Sequence, residues 1–196
     1  MKSISTFWFC VCRSAVRLVE DGRGNAAVEF AVIVPVMPVM FFGTVEFSSG
    51  VAVDRKVTLM ARTLSDLTSQ STSVATTDLT NFFAASGAIM TPYSSTPTQA
   101  TISELYIDPS TLAARVQWSQ GAVPRAVKST VVIPAALAVG GTYLIYSEVN
   151  YVYTPAVGYV MKGGITLKDY AYTRPRQSTC VFFPTTSPLP TNCPTQ

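Results

Sequence analysis

"AAVEFAVIVPVMPVMFFGTVEF", residues 26–47, decides how the rest of the chain is read. About 20 mainly apolar residues, at 1.5 Å each, cross the hydrocarbon of a bilayer as a helix, and this run is long enough. Pro35 and Pro38 lie within it. They would break an isolated soluble helix, whereas membrane helices accommodate proline with a kink. One residue disturbs the reading. Glu29 stands near the start of the run, and an ionised carboxylate costs about 2.5–3.5 kcal/mol at the centre of a membrane helix, less near its end. A buried helix of a soluble protein is the competing reading.

The flanks set an orientation. Residues 1–24 carry Lys2, Arg13, Arg17 and Arg23 against Glu20 and Asp21, a net basic leader that belongs on the cytoplasmic side. "FWFCV", 7–11, is too short for a signal-peptide core. The expected topology is therefore N-in, C-out. Arg55, Lys56 and Arg62 beyond the span fit it if they belong to a folded outer helix. Such a helix is expected: in "VAVDRKVTLMARTLSDLTSQ", 51–70, Val53, Val57, Met60, Leu64 and Leu67 recur at three- and four-residue steps.

A polar link, 71–77, leads to "DLTNFFAASGAIM", read as a second, short helix with Thr77 or Asp78 as its N-cap. "TPYSSTPTQ" ends it. The remainder reads as β. "ATISELYI" and "LAARVQWS" flank "DPST" as a hairpin. "VKSTVVI" is a weaker strand, "TYLIYSEVNYVYT" the strongest, and "GGITLKDYAYTRPR" completes the set. Strands that follow helices without regular alternation predict an α+β fold with an antiparallel sheet. The expected organisation is a leader over 1–24, a transmembrane and amphipathic helix over 25–70, an α+β domain over 71–178 and a tail over 179–196.

Composition narrows the function. Charged residues make up 13% of the chain against 48% apolar, and histidine is absent, which removes the commonest general base and metal ligand. No nucleophile elbow or phosphate loop is present, so no enzyme, no metal and no cofactor are expected. A net charge of +3 with scattered Lys and Arg does not fit nucleic acid. Asp54, Asp66 and Asp78 read as helix surface or cap residues. The tyrosines at 143, 146, 151, 153, 159, 170 and 172 read first as sheet packing and second as a sticky surface. Of four cysteines, Cys10 and Cys12 precede the span, while Cys180 and Cys193 follow it. An outer pair in an oxidising compartment can close a disulfide, worth about 3 kcal/mol for such a loop; two packed thiols are the alternative.

The Gly–Glu segment carries the sharpest expectation. A cut between Gly24 and Asn25 would leave Glu29 as the fifth residue and create a positive α-amino group at the membrane boundary. A carboxylate on a neighbouring subunit can pair with that amine, and because an unpaired charge in lipid is costly the pair would fix register. A glutamate idle among the headgroups is the plain alternative.

"GNAAVEF", 24–30, resembles the Gly-x(4)-Glu-(Phe/Tyr) pattern of Tad (tight adherence, Flp, type IVc) prepilins, and "RGNAAVEFAVIVPV" resembles the start of a TadE-like minor pseudopilin. A second segment, 149–176, is similar to that family's C-terminal strands, including the terminal Arg-Pro-Arg. The resemblance implies cleavage after Gly24 by a prepilin peptidase, with Glu29 and Phe30 serving processing or assembly. It implies an inner-membrane protein with its C-terminal domain in the periplasm, incorporated with the major Flp-type pilin and other minor pseudopilins into adhesive, biofilm-forming pili. The large β-rich domain sets it apart from the major Flp pilins, which are little more than the helix. A minor pseudopilin of type II secretion or another type IV-like machine is the runner-up; there Asn25 fits less well. A membrane-anchored periplasmic binding domain is the third reading.

Overall fold

A computed structural model describes residues 25–155, 163–184 and 190–195. The leader and Gly24 lie outside the described residues, as do Cys10, Cys12 and Tyr159.

Helix α1, Asn25–Ser69, joins the apolar run to the amphipathic stretch without a break. At 1.5 Å per residue it is about 68 Å long. Its two halves live in different surroundings. Almost every residue from Val28 to Val45 is exposed, whereas Val53, Val57, Met60, Ala61 and Leu64 are buried. The three- and four-residue spacing puts those five on one stripe, and that stripe meets the sheet. Leu67 completes the predicted stripe but is only half-buried.

Helix α2, Thr76–Gly87, starts two or three residues earlier than the sequence predicts. Ala75 is its N-cap, and Asp78, three residues on, accepts the Ala75 N–H at 2.9 Å. Asp78 is therefore the reaching partner of the cap and not the cap itself: its chain is long enough to return to the preceding turn. The last residues of the predicted helix, Ala88–Met90, form a 3-10 turn. Lys56 ties this turn to α1 by donating to the carbonyls of Ile89 at 2.7 Å and Thr91 at 2.8 Å.

Five strands follow: β1 Thr98–Ile107, β2 Ala114–Gly121, β3 Thr130–Val131, β4 Tyr143–Tyr153 and β5 Ile165–Thr173. They form one sheet in the order β3-β2-β1-β4-β5, and every neighbouring pair is antiparallel. The fold is α+β, as the order of elements predicts. The β1–β2 hairpin turns at Asp108, whose carboxylate accepts the N–H groups of Ser110 and Thr111.

Alternation sorts the strands into two faces. Ala100, Ile102, Trp118, Ile145, Val149, Tyr151 and Tyr153 join the α1 stripe in the main core. Leu105, Ile107, Val116, Leu144 and Tyr146 form a second cluster on the other face, under Ile133 and Leu137 of the β3–β4 connection. At a bulge the register shifts, so that the consecutive residues Glu104 and Leu105 stand opposite Trp118 and Val116. The one extra residue between the latter two lets Trp118 face one core and Val116 the other. Ser147 anchors the middle of β4 to α1 by donating to the Ala61 carbonyl at 2.6 Å.

Candidate membrane-assembly helix

The site named by the sequence is the N-terminal half of α1. Its most apolar stretch has a mean hydropathy of 2.0, and none of that stretch is buried. Phe30, Met37, Met40 and Phe41 are each about two-thirds exposed. Leaving so many large apolar side chains uncovered would cost roughly 1.5–3 kcal/mol each in water. A lipid or helical partner is the environment in which this surface is stable, so the helix fits membrane association. Pro35 and Pro38 lie inside the helix. Lacking N–H groups, they leave the carbonyls of Ala31 and Val34 without their usual intrahelical donors. Around Pro38 a shallow apolar groove is lined by Phe30, Val34, Met37, Phe41 and Phe42.

Asn25 is the first described residue and is helical; Glu29 follows one turn later, on the same side of the helix, and is exposed. Phe30 points outward beside it. Gly24, the other half of the expected cleavage point, lies outside the described residues.

Two acidic residues escape a reading of the sequence by hydropathy. Glu46 sits inside the predicted span, yet it is only 3% exposed, and among the described residues neither carboxylate oxygen has a hydrogen-bond partner. Among the described residues it is the first buried one along α1, ahead of the stripe that begins at Val53. Glu104, on β1, is fully buried. Its Oε1 accepts the Val181 N–H at 2.6 Å, while Oε2 has no partner. Burial pushes its carboxyl up to about 8, against which the Val181 and Trp118 N–H groups pull only part of the way. The inward parity of Glu104 with Ala100 and Ile102 was the available signal.

Beyond the sheet, Cys180 and Cys193 are joined in a disulfide. Cys180 and Val181 are fully buried, and the Trp118 indole N–H donates to the Val181 carbonyl at 2.7 Å. On the opposite face Arg125 grips Glu148 with two bonds of 2.6 and 2.7 Å and lies over the Tyr146 ring at 5.6 Å. Burial raises the Glu148 carboxyl, but the Arg125 fork and the Tyr146 hydroxyl outweigh it, holding the group below its ordinary value. Tyr146 and Tyr172 stack at 4.7 Å. Tyr143, Tyr146, Tyr151 and Tyr153 pack the sheet, whereas Tyr170 is 58% exposed. No group of metal-ligating side chains occurs among the described residues.

Residues 24–64, the exposed half of α1 and most of its buried half, match the family model of TadE-like proteins. Over these residues the helix is similar to that of TadE-like proteins. The match associates the chain with Tad pilus systems. It begins at the glycine of the Gly-x(4)-Glu pattern and ends at Leu64 in the main core. The second segment of resemblance, 149–176, lies outside the matched residues; it supplies parts of β4 and β5. No match was found among curated proteins, and none among solved structures.

Proposed function

We propose that this chain is a minor pseudopilin that takes part in assembling Tad-type adhesive pili. The supporting observation is the division of α1. Within one unbroken, TadE-like helix, an uncovered apolar half meets a half buried in a folded α+β domain. Such a subunit can move from bilayer to filament by exchanging lipid for neighbouring apolar helices, while its domain stays outside the packing. Its role is structural and not catalytic.

In this reading the leader stays in the cytoplasm, a prepilin peptidase cuts after Gly24, and the domain stands in the periplasm. The Cys180–Cys193 disulfide supports that compartment, which is oxidising. Glu29 of one subunit meets the new N-terminal amine of its neighbour, the major Flp-type pilin or another minor pseudopilin, and the amine of Asn25 is met in the same way. Mass spectrometry of the mature N-terminus tests the proposal. A chain starting at Asn25 is expected; an intact Met1, or a cut beyond residue 45, would sink it. Gly24→Ala should block maturation. Glu29→Ala should leave the protein in the membrane but impair piliation, and normal pili would remove the docking role.

A further inference from the structure

The two edges of the sheet differ. The β3 edge is two residues long, too short to template another strand. The β5 edge is nine residues long, and among the described residues no strand pairs with its outer side. Its backbone groups can be assigned a direction. The Tyr170 N–H donates to the Asp169 carboxylate at 2.8 Å and so is turned away from β4. In an antiparallel pair successive residues alternate, so the N–H and C=O groups of Thr166, Lys168, Tyr170 and Tyr172 all face the open side. No proline interrupts this row.

The C-terminal part of this edge borders a groove of about 580 Å³ whose far wall is α1. Arg62, Ser65, Asp66 and Leu67 form that wall. The Ser65 and Thr173 hydroxyls, 2.6 Å apart, and the Arg176 N–H to Ser69 carbonyl bond of 2.8 Å hold the walls in place. The carboxylates here are already engaged. Asp66 is paired with Arg176 at 2.5 Å and accepts from Gln70 at 2.7 Å, and Asp169 takes the Tyr170 N–H. The cations are less well served: Arg62 in the groove, with Lys168 and Arg174 along the strand, is exposed and paired with no carboxylate of the described residues.

We propose that the β5 edge is a docking site for an extended segment of a partner protein that carries carboxylates and adds to the sheet as a sixth strand. Backbone hydrogen bonds along the free edge give affinity, and Arg62 and Lys168 select acidic side chains. A second copy of this chain fits poorly. A second β5 would bring its own Lys168 to this edge, and its one carboxylate, Asp169, already accepts the Tyr170 N–H. The inference does not depend on the pilus reading.

Fluorescence anisotropy with the full chain in detergent tests it, using a labelled peptide of repeating Val-Val-Glu-Glu, which sets glutamates on both faces of a strand, and its counterpart with lysine for glutamate. The glutamate peptide should bind about tenfold more tightly than the lysine peptide. Arg62→Glu should reverse that preference. Lys168→Pro removes one outward N–H at an edge position where proline is tolerated, and should abolish binding. A second measurement does not depend on that variant folding. Glutamate peptides N-methylated on one alternate set of residues should lose binding, and those methylated on the other set should keep it. Equal binding of the acidic and basic peptides, or of the two methylated forms, overturns the proposal. So does a homodimer of the unmodified chain that Lys168→Pro dissociates.

Discussion

Glu104 is the residue where burial and chemistry conflict most. It is fully buried on the main-core side of β1, and its carboxyl titrates at about 8 against an ordinary 4.5. Because the folded-state value is the higher one, the folded protein holds this proton more tightly. The stabilisation is complete below about pH 4.5 and disappears as the pH rises through 8. At about 1.4 kcal/mol per pH unit the change amounts to several kcal/mol. Glu104→Gln keeps an oxygen for the Val181 N–H and cannot ionise. It should flatten the stability profile between pH 5 and 8 and be the more stable form at pH 8, as measured by denaturant unfolding across that range. A variant with the same pH slope as the parent would show that the proton resides elsewhere. Part of this was legible in the sequence: alternation in "ATISELYI" sets Glu104 in line with Ala100 and Ile102. What covers it was not, because Val181 stands 77 positions away in the chain.

At the scale of elements, α1 was the most legible part of the molecule and the sheet order the least. Periodicity separates the two halves of α1 because lipid accepts apolar residues on every side, while a domain accepts them only on the stripe that faces its core. Leu64 is fully buried and Val36 is 56% exposed, on the same helix. Leu64→Ala should therefore destabilise the domain by about 2–5 kcal/mol, whereas Val36→Ala should change it by less than about 0.5 kcal/mol. Denaturant unfolding in detergent, followed by Trp118 fluorescence, compares the two; equal effects would mean that the halves fold as one cooperative unit. Strands β1, β2, β4 and β5 could be read from alternation and turn residues. Their order could not, since β4 inserts between β1 and β5 only after a long connection, and local pattern carries no information about which distant edges meet.

For the whole molecule, the C-terminal strap closes the domain. Residues 180–183 run past the link between the helices: the Phe182 N–H donates to the Thr72 carbonyl at 3.1 Å and the Val74 N–H to the Phe182 carbonyl at 2.9 Å. The Tyr143 hydroxyl holds the Pro194 carbonyl at 2.8 Å, and the Cys180–Cys193 disulfide closes the loop between these contacts. Hydrogen bonds and disulfide act on different states. The former hold the strap in the folded protein, each worth about 1 kcal/mol net; the latter restricts the unfolded chain. Cys193→Ser should thus cost about 3 kcal/mol of global stability while leaving the folded strap in place. Two readouts separate these effects. Denaturant unfolding should show the loss, and hydrogen exchange at the Val181 and Phe182 amides should accelerate only by the factor that the global loss predicts. Faster exchange at these two amides than at the Ile145 and Val149 amides of β4 would mean that the strap opens on its own once the disulfide is gone. Trp118 and the Glu104 carboxyl would then meet water without unfolding of the sheet, and the high titration of Glu104 would fall with them.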